Sequence, residues 1–282
     1  MANTLSAALV PDTAADMAIT VLQSKLASLS VFSTDFSSDL VDPTRPMAIP
    51  VVTSGSTTLE SPTNFEQGDS TIISELVSPV HLSQPFHITQ AELNSGHKLE
   101  RLFKVNLRKL ADSINEKVYA PLTVANYTNT PVVAATPADL DTDALKTVWS
   151  SISNADEKNI VLQGDYYANY IPANRDNFAL SDGIHGFDKF RMNNNFAGAE
   201  SGVVGFAADP QAMAIASRVP AMTDAARDGM MESRVIEIPD LGIAVQFNMW
   251  FSLASRTTWA SFDICVGSTK ADVSALTLIK NA

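Results

Sequence analysis

The sequence predicts an α+β fold, and three stretches predict it. From Gly96 to Leu122 the apolar residues Leu99, Leu102, Phe103, Leu107, Leu110, Ile114 and Val118 recur at spacings of three and four, as on one face of a helix. Residues 47–88 hold two strand-like runs on either side of a polar, turn-forming stretch. Residues 233–282 hold four further strand-like runs, each bounded by turn residues.

In chain order, Thr13-Ala14-Ala15-Asp16 opens a helical segment over residues 13–29 with Met17, Val21, Leu22, Leu26 and Leu29 as its apolar positions. Too short to stand alone, it must dock on something else. Residues 30–46 turn to Ser, Asp and Pro and read as an extended arm. Met47–Thr53 reads as a strand, and Ser70–Leu82 with Phe86–Ile88 as its return. The intervening GSTTLESPTNFEQGD has too few large apolar residues to cover a core. A two-stranded hairpin of this length is marginal in water, so its expected support is another subunit.

Thr89-Gln90-Ala91-Glu92 gives a second capping box, with Gly96 as a kink or junction before the long helix. That helix has a cationic outer face: Lys98, Arg101, Lys104, Arg108, Lys109 and Lys117 stand against Glu100, Asp112 and Glu116. Residues 1–97, by contrast, carry ten acids against only Lys25 and Arg45. The cationic face is either a solvated surface or the seat of an acidic segment from elsewhere.

Residues 123–230 read as a mixed α/β region. Asp139–Ser153 is helical, with Leu140, Leu145, Val148, Trp149 and Ile152 on its apolar side. Asn159–Leu162 and Gly202–Ala207 are buried-strand runs. Asp209-Pro210-Gln211 after the second run has helix-start chemistry, which predicts a helix through AMAIASR. The intervening residues 181–202 read as a surface loop. The closing strands read as an antiparallel meander, and Ile243, Val245, Phe247 and Met249 alternate with Ala244, Gln246, Asn248 and Trp250.

Composition narrows the function classes. A chain of 282 residues with 45% apolar content buries a sizeable core, and its single cysteine, Cys265, rules out an internal disulfide framework. No signal-peptide pattern and no run of 18 apolar residues occurs, so no membrane partner is expected. A net charge of −12 argues against a protein that coats nucleic acid through counterion release.

No catalytic or metal motif emerges, and no cofactor or enzymatic role is expected. Asp139-Leu140-Asp141-Thr142-Asp143 resembles the start of a calcium loop, but Ala144 and Ser150 occupy the positions that require Gly and a bidentate Glu. His81, His87, His97 and His185 show no ligand spacing with one another or with Cys265. Asp182, His185 and Asp188, with Ser181, are the one grouping from which a hydrolase site can be imagined; a polar loop is the simpler reading.

The order of parts, together with the hairpin at 49–89, the helix at 88–114, VVGFAADPQAMAIASRVP at 203–220 and the GIAVQFNMWFS…FDICVGS pattern, resembles the major capsid proteins of tailed bacteriophages with the Hong Kong 97-type fold. The resemblance implies an N-terminal arm (1–46), an E-loop hairpin (47–88), a P-domain segment with the spine helix (89–122), an A-domain (123–230) and strands returning to the P-domain (231–282). It implies a coat protein that self-assembles through pentamers and hexamers into an icosahedral virion shell in the bacterial cytoplasm. That shell would enclose double-stranded DNA without binding its sequence.

Expected intersubunit contacts set Glu60, Phe65, Glu66 and Asp69 of the hairpin near Arg101, Lys104 and Arg108 of a neighbour. With no lysine between Lys25 and Lys98, the covalent cross-link of some family members lacks its donor. About 46 residues before the hairpin leave no room for a fused scaffolding segment, so, unless this is the already processed chain, a separate scaffolding protein and a portal are expected partners. The alternatives are an encapsulin-type nanocompartment, which shares the fold, then a hydrolase using the Asp182/His185 loop, then a tail or decoration protein.

Overall fold

The structure is a computed structural model describing residues 9–32, 45–54, 58, 60, 71–89, 96–152, 155–171, 186–224, 228–239, 241–254 and 257–281. Its helices are α1 (Leu9–Lys25), α2 (Gly96–Val118), α3 (Thr142–Ser151) and α4 (Gly164–Ala168). Its strands up to the middle of the chain are β1 (Met47–Ser54), β2 (Thr71–Val77), β3 (Val80–Ile88), β4 (Val132–Val133), β5 (Asn159–Leu162) and β6 (Lys189–Met192). The remainder are β7 (Val203–Ala208), β8 (Met213–Arg218), β9 (Glu232–Ile238), β10 (Ile243–Ser252), β11 (Thr257–Lys270) and β12 (Leu276–Lys280).

The principal layer is an antiparallel sheet in the order β3-β11-β10-β9, with β8 added to the far end of β11. Both long helices cover one face of it, α2 against β3 and β11 and α1 beside it against β9 and β10. Helix α2 runs 23 residues, about 35 Å at 1.5 Å per residue. Its Leu99, Phe103, Leu107, Leu110, Ile114 and Val118 are all buried, as their spacing requires. Phe103 lies at the centre, its ring 5.7 Å from Phe86, 5.8 Å from Phe247 and 5.9 Å from Phe262. Such ring pairs add roughly 0.5–1.5 kcal/mol each beyond area burial.

Helix α1 starts at Leu9, earlier than the capping pattern suggests, with Pro11 in its first turn, where a missing N–H costs nothing. Buried Ala14 and Ala18 turn small side chains inward, and α1 and α2 pack side by side. Arg234 of β9 ties the start of α1 to the sheet through Asp12, at 2.5 Å. The helix ends at Lys25, short of the expected Leu29, and continues as a 3-10 turn over Ala27–Val31. Within the span read as an extended arm, residues 33–44 lie outside the described residues.

The second sheet, β4-β12-β7-β5-β6, is mixed: β4 runs parallel to β12 and β6 parallel to β5, and the other pairs are antiparallel. Its core gathers Leu145 and Val148 of α3 with Ile160, Leu162, Phe187, Phe190 and Ile279. Asp141 caps α3 by accepting from the backbone N–H groups of Asp143 and Ala144, so the acids of the calcium-like stretch serve as helix-start charges. Tyr119, at the end of α2, donates to Ser28 Oγ at 2.6 Å and accepts from Asn193 Nδ2 at 2.9 Å, which pins α2 to the 3-10 turn and to the end of β6. Burial pushes its hydroxyl up to about 12.

Four readings from sequence need correction. Asp209-Pro210-Gln211 starts only a 3-10 turn, and Met213–Arg218, expected as a helix, is strand β8. Its first five residues are buried on both faces between β11 and the β1–β2 hairpin, and that packing overrides the helix propensity of its alanines. Residues 181–202 are not all surface loop, because they contain β6 with Phe187 and Phe190 fully buried. The return strand is two strands: β2 pairs with β1, and β3 with β11. Finally, β12 leaves the meander to join the second sheet between β7 and β4, so of the four closing strands β9, β10 and β11 belong to the principal sheet.

Candidate assembly surface

Two surfaces lack an intramolecular partner among the described residues. The first is the outer side of α2. Arg101, Lys104 and Arg108 follow one another at spacings of three and four, so all three sit on the side opposite Phe103 and Leu107 and are exposed. With Glu100, Val105 and Met17 of α1 they line a shallow groove of 440 Å³. Among the described residues none of the three cations forms an ion pair, so their charge faces solvent. On the sheet side of α2, Asn106 accepts from Gln84 of β3 at 3.2 Å and donates to the Leu102 carbonyl at 2.9 Å, fixing the helix over the strand.

The second surface is the β1–β2 hairpin. Antiparallel register pairs Met47 with Val77 and Val51 with Ile73, which sorts the side chains to two faces. Ile49, Val51 and Val77 turn inward onto Ala214, Ala216 and Ala271. Ile72 and Leu76 turn outward and are 61% and 62% exposed, beside exposed Ala48 and Pro50. Among the described residues nothing covers this apolar outer face.

At the hairpin's root the chain passes from β2 to β3 through Ser78 and Pro79. Here Gly267 of β11 admits close backbone approach, because a Cβ at that position would lie 2.9 Å from Pro79 Cα and from Val77 Cγ1.

Of the residues singled out from sequence, Arg101, Lys104 and Arg108 come together on one helix side. Glu60 is exposed, and Phe65, Glu66 and Asp69 lie outside the described residues, as do Asp182 and His185. Within one chain no ion pair joins Glu60 to the α2 cations among the described residues. No group of three or more His, Cys, Asp or Glu side chains able to hold a metal ion occurs among the described residues. Among them no helix is long and apolar enough to cross a membrane. Cys265 is buried, as expected of a packing thiol.

Sequence reasoning missed two polar features. Glu200 receives Lys280 Nζ at 2.8 Å and the Val124 N–H at 2.6 Å, joining β12 to the loop after α2; the lysine holds this carboxyl below its usual range. The other is a polar row on the sheet face away from the helices, comprising buried Gln246, Asn248, Ser261 and Asp263 with exposed Ser233 at its edge. The only sequence signal for it was the polar half of the β10 alternation, Gln246 and Asn248.

Neither a protein-family model nor a curated protein sequence matches this chain. Solved structures do. A virus-like particle protein from Pyrococcus furiosus superposes with a TM-score of 0.59 at 9% identity, over 95% of this chain and 98% of that one. The capsid of the cyanophage P-SCSP1u gives 0.55 at 11% identity, over 89% and 86%. The capsid of an empty GTA particle gives 0.54 at 12% identity, over 92% and 89%. Identities this low speak to architecture, and coverage this complete leaves little of either chain outside it: the fold is the α+β capsid fold of the Hong Kong 97 type.

Proposed function

We propose that this chain is the major capsid protein of a tailed phage, self-assembling through pentamers and hexamers into an icosahedral shell that encloses double-stranded DNA. The observation that carries this reading is the match of nearly the whole chain to shell-forming folds, 95% against the virus-like particle and 92% against the GTA capsid. The open apolar face of the hairpin and the cations of α2 support it, since among the described residues each lacks a partner, which a second copy would supply.

In this reading the hairpin is the E-loop and α2 the spine helix. Glu60, Phe65, Glu66 and Asp69 of one copy meet Arg101, Lys104 and Arg108 of its neighbour. Exposed ion pairs contribute only about 0–1 kcal/mol each, so their effect is on register, repeated around a closed shell. The burial of Ile72 and Leu76 supplies most of the affinity. The contacts are non-covalent, and a net charge of −12 keeps packaged DNA mobile against the wall.

Electron microscopy of the protein, expressed alone and with its neighbouring genes, tests the reading. Closed shells, or capsomers that close when a scaffolding protein is added, are the expected result; a monomer under every condition overturns it. A second reading, a cellular compartment shell, is favoured by the similarity to a particle from a cellular organism. Particle contents separate the two, nuclease-protected DNA in one and protein cargo in the other.

A further inference from the structure

The sheet face turned away from α1 and α2 holds a recess of 610 Å³ with an unusual floor. Register sets Gln246 opposite Asp263, Asn248 opposite Ser261, and Ser233 opposite Asn248. Asp263 Oδ2 accepts from Asn248 Nδ2 at 2.8 Å and from Ser261 Oγ. Gln246 Nε2 donates to Ser233 Oγ at 3.0 Å, and that hydroxyl donates to Asn248 Oδ1 at 2.9 Å. Among the described residues the second carboxylate oxygen, Oδ1, has only His81 Nε2 near it, at 3.4 Å.

Two acceptors are therefore left short of donors. Asp263 is 6% exposed, and no lysine or arginine pairs with it among the described residues. Gln246 is 8% exposed and its Oε1 has no hydrogen-bond partner among the described residues. Both residues line the recess, whose walls include Pro220, Met222, Met230 and Trp250. Leaving a buried carbonyl unpaired costs roughly 1–3 kcal/mol, and a buried carboxylate that faces a single half-exposed imidazole at 3.4 Å keeps room for a further donor.

A ligand that relieves both carries several N–H donors, a positive charge and an apolar stem to lie along the two methionines and Trp250 of the wall. An anion is repelled by Asp263, and a purely apolar group leaves both acceptors unpaired.

We propose that this recess receives a lysine or arginine side chain from a second copy of the chain, an inference that rests on the shell reading above. Each copy has cations of the required kind: Lys98 and Lys109 are exposed on α2 and form no ion pair among the described residues. A contact in which one surface donates and a different one receives builds rings, and closed shells use such contacts.

The test has two arms. The chain labelled with ¹³C at its methionine methyls is titrated with arginine amide, using norleucine amide as the uncharged-stem control. Met222 and Met230 shift saturably with the first and stay unmoved with the second. Asp263→Asn abolishes the shift, and Gln246→Met, close in volume but without the acceptor, weakens it about tenfold to a hundredfold, the loss of one hydrogen bond to a charged group. In the second arm both variants raise the protein concentration needed for shell formation, and Gln246→Met keeps this arm decisive if Asp263→Asn misfolds. Wild-type protein with no shift in arginine amide overturns the inference. Shells that form from both variants at the wild-type concentration overturn it too, and leave the shell reading standing. Wild-type protein that forms no particle under any condition overturns the shell reading and this inference with it.

Discussion

Strands β2 and β3 are almost one continuous run, yet they live in different environments. β3 lies in the principal sheet, with Phe86 and Ile88 buried under α2. β2, only two residues earlier, keeps Val77 inside and turns Ile72 and Leu76 to solvent. The same alternating chemistry thus builds a completed core in one half and an open face in the other. The body of the chain is stabilised by its own contacts; the outer face of the hairpin gains most once a second surface covers it.

Substitutions separate the two halves. Phe103→Ala removes the ring that meets Phe86, Phe247 and Phe262, and chemical denaturation is expected to show a loss of about 3–5 kcal/mol. Tyr119 offers a milder probe of the body. Its hydroxyl titrates near 10 in the unfolded chain and is held at about 12 in the fold, so the native state keeps a proton that the unfolded state has lost. Its contribution is fully present below pH 10 and is lost as pH rises through 12, a loss of about 2–3 kcal/mol for a shift of that size. Tyr119→Phe should flatten this alkaline decline, measured as unfolding free energy against pH, at a cost of about 1 kcal/mol at neutral pH.

The junction itself is tested by Gly267→Ala. The new methyl group meets Pro79 and Val77 at under 3 Å, so the root of the hairpin must shift. We expect a loss of about 1–3 kcal/mol and altered amide exchange in β2 with little change in β10. The smallest effect on the isolated chain belongs to the pair Ile72→Ser and Leu76→Ser, within about 0.5 kcal/mol by thermal melting. Assembly should respond in the opposite order, with these two exposed changes raising the concentration for particle formation more than their stability cost explains. If they assemble like wild type, the open face is not a contact.

How far the sequence revealed these elements depends on whether the signal was local. Helix α2 and strands β1, β5, β7, β9, β10 and β11 were legible because one or two faces of each are apolar at a clean period. β8 was not, because Asp209 and Pro210 are helix-start chemistry and its alanines are helix formers, whereas the strand is imposed by β11 beside it and the hairpin upon it. β6 is four residues long and pairs in parallel with β5, a partner some thirty positions away that leaves no mark in Lys189–Met192 itself. The exit of β12 from the meander is likewise a matter of sheet edges.

At the candidate surface, helical spacing alone collected Arg101, Lys104 and Arg108. The recess around Asp263 was hidden, because its polar residues meet only when β3, β9, β10 and β11 are laid side by side. A single polar residue between apolar neighbours in one strand reads as solvent-facing until the adjacent strands supply the rest.

The nine-pair ladder between β3 and β11 has a mechanical meaning. A pull on the hairpin enters the body through Ser78 and Pro79 and runs along β3, parallel to the strand axis. The ladder's cross-strand hydrogen bonds are then loaded together in shear and not opened one after another from an end. A subunit tugged by its neighbour through the hairpin would resist as a riveted plate does, and the rivets sit on β11, the strand that β3, β10 and β8 all share.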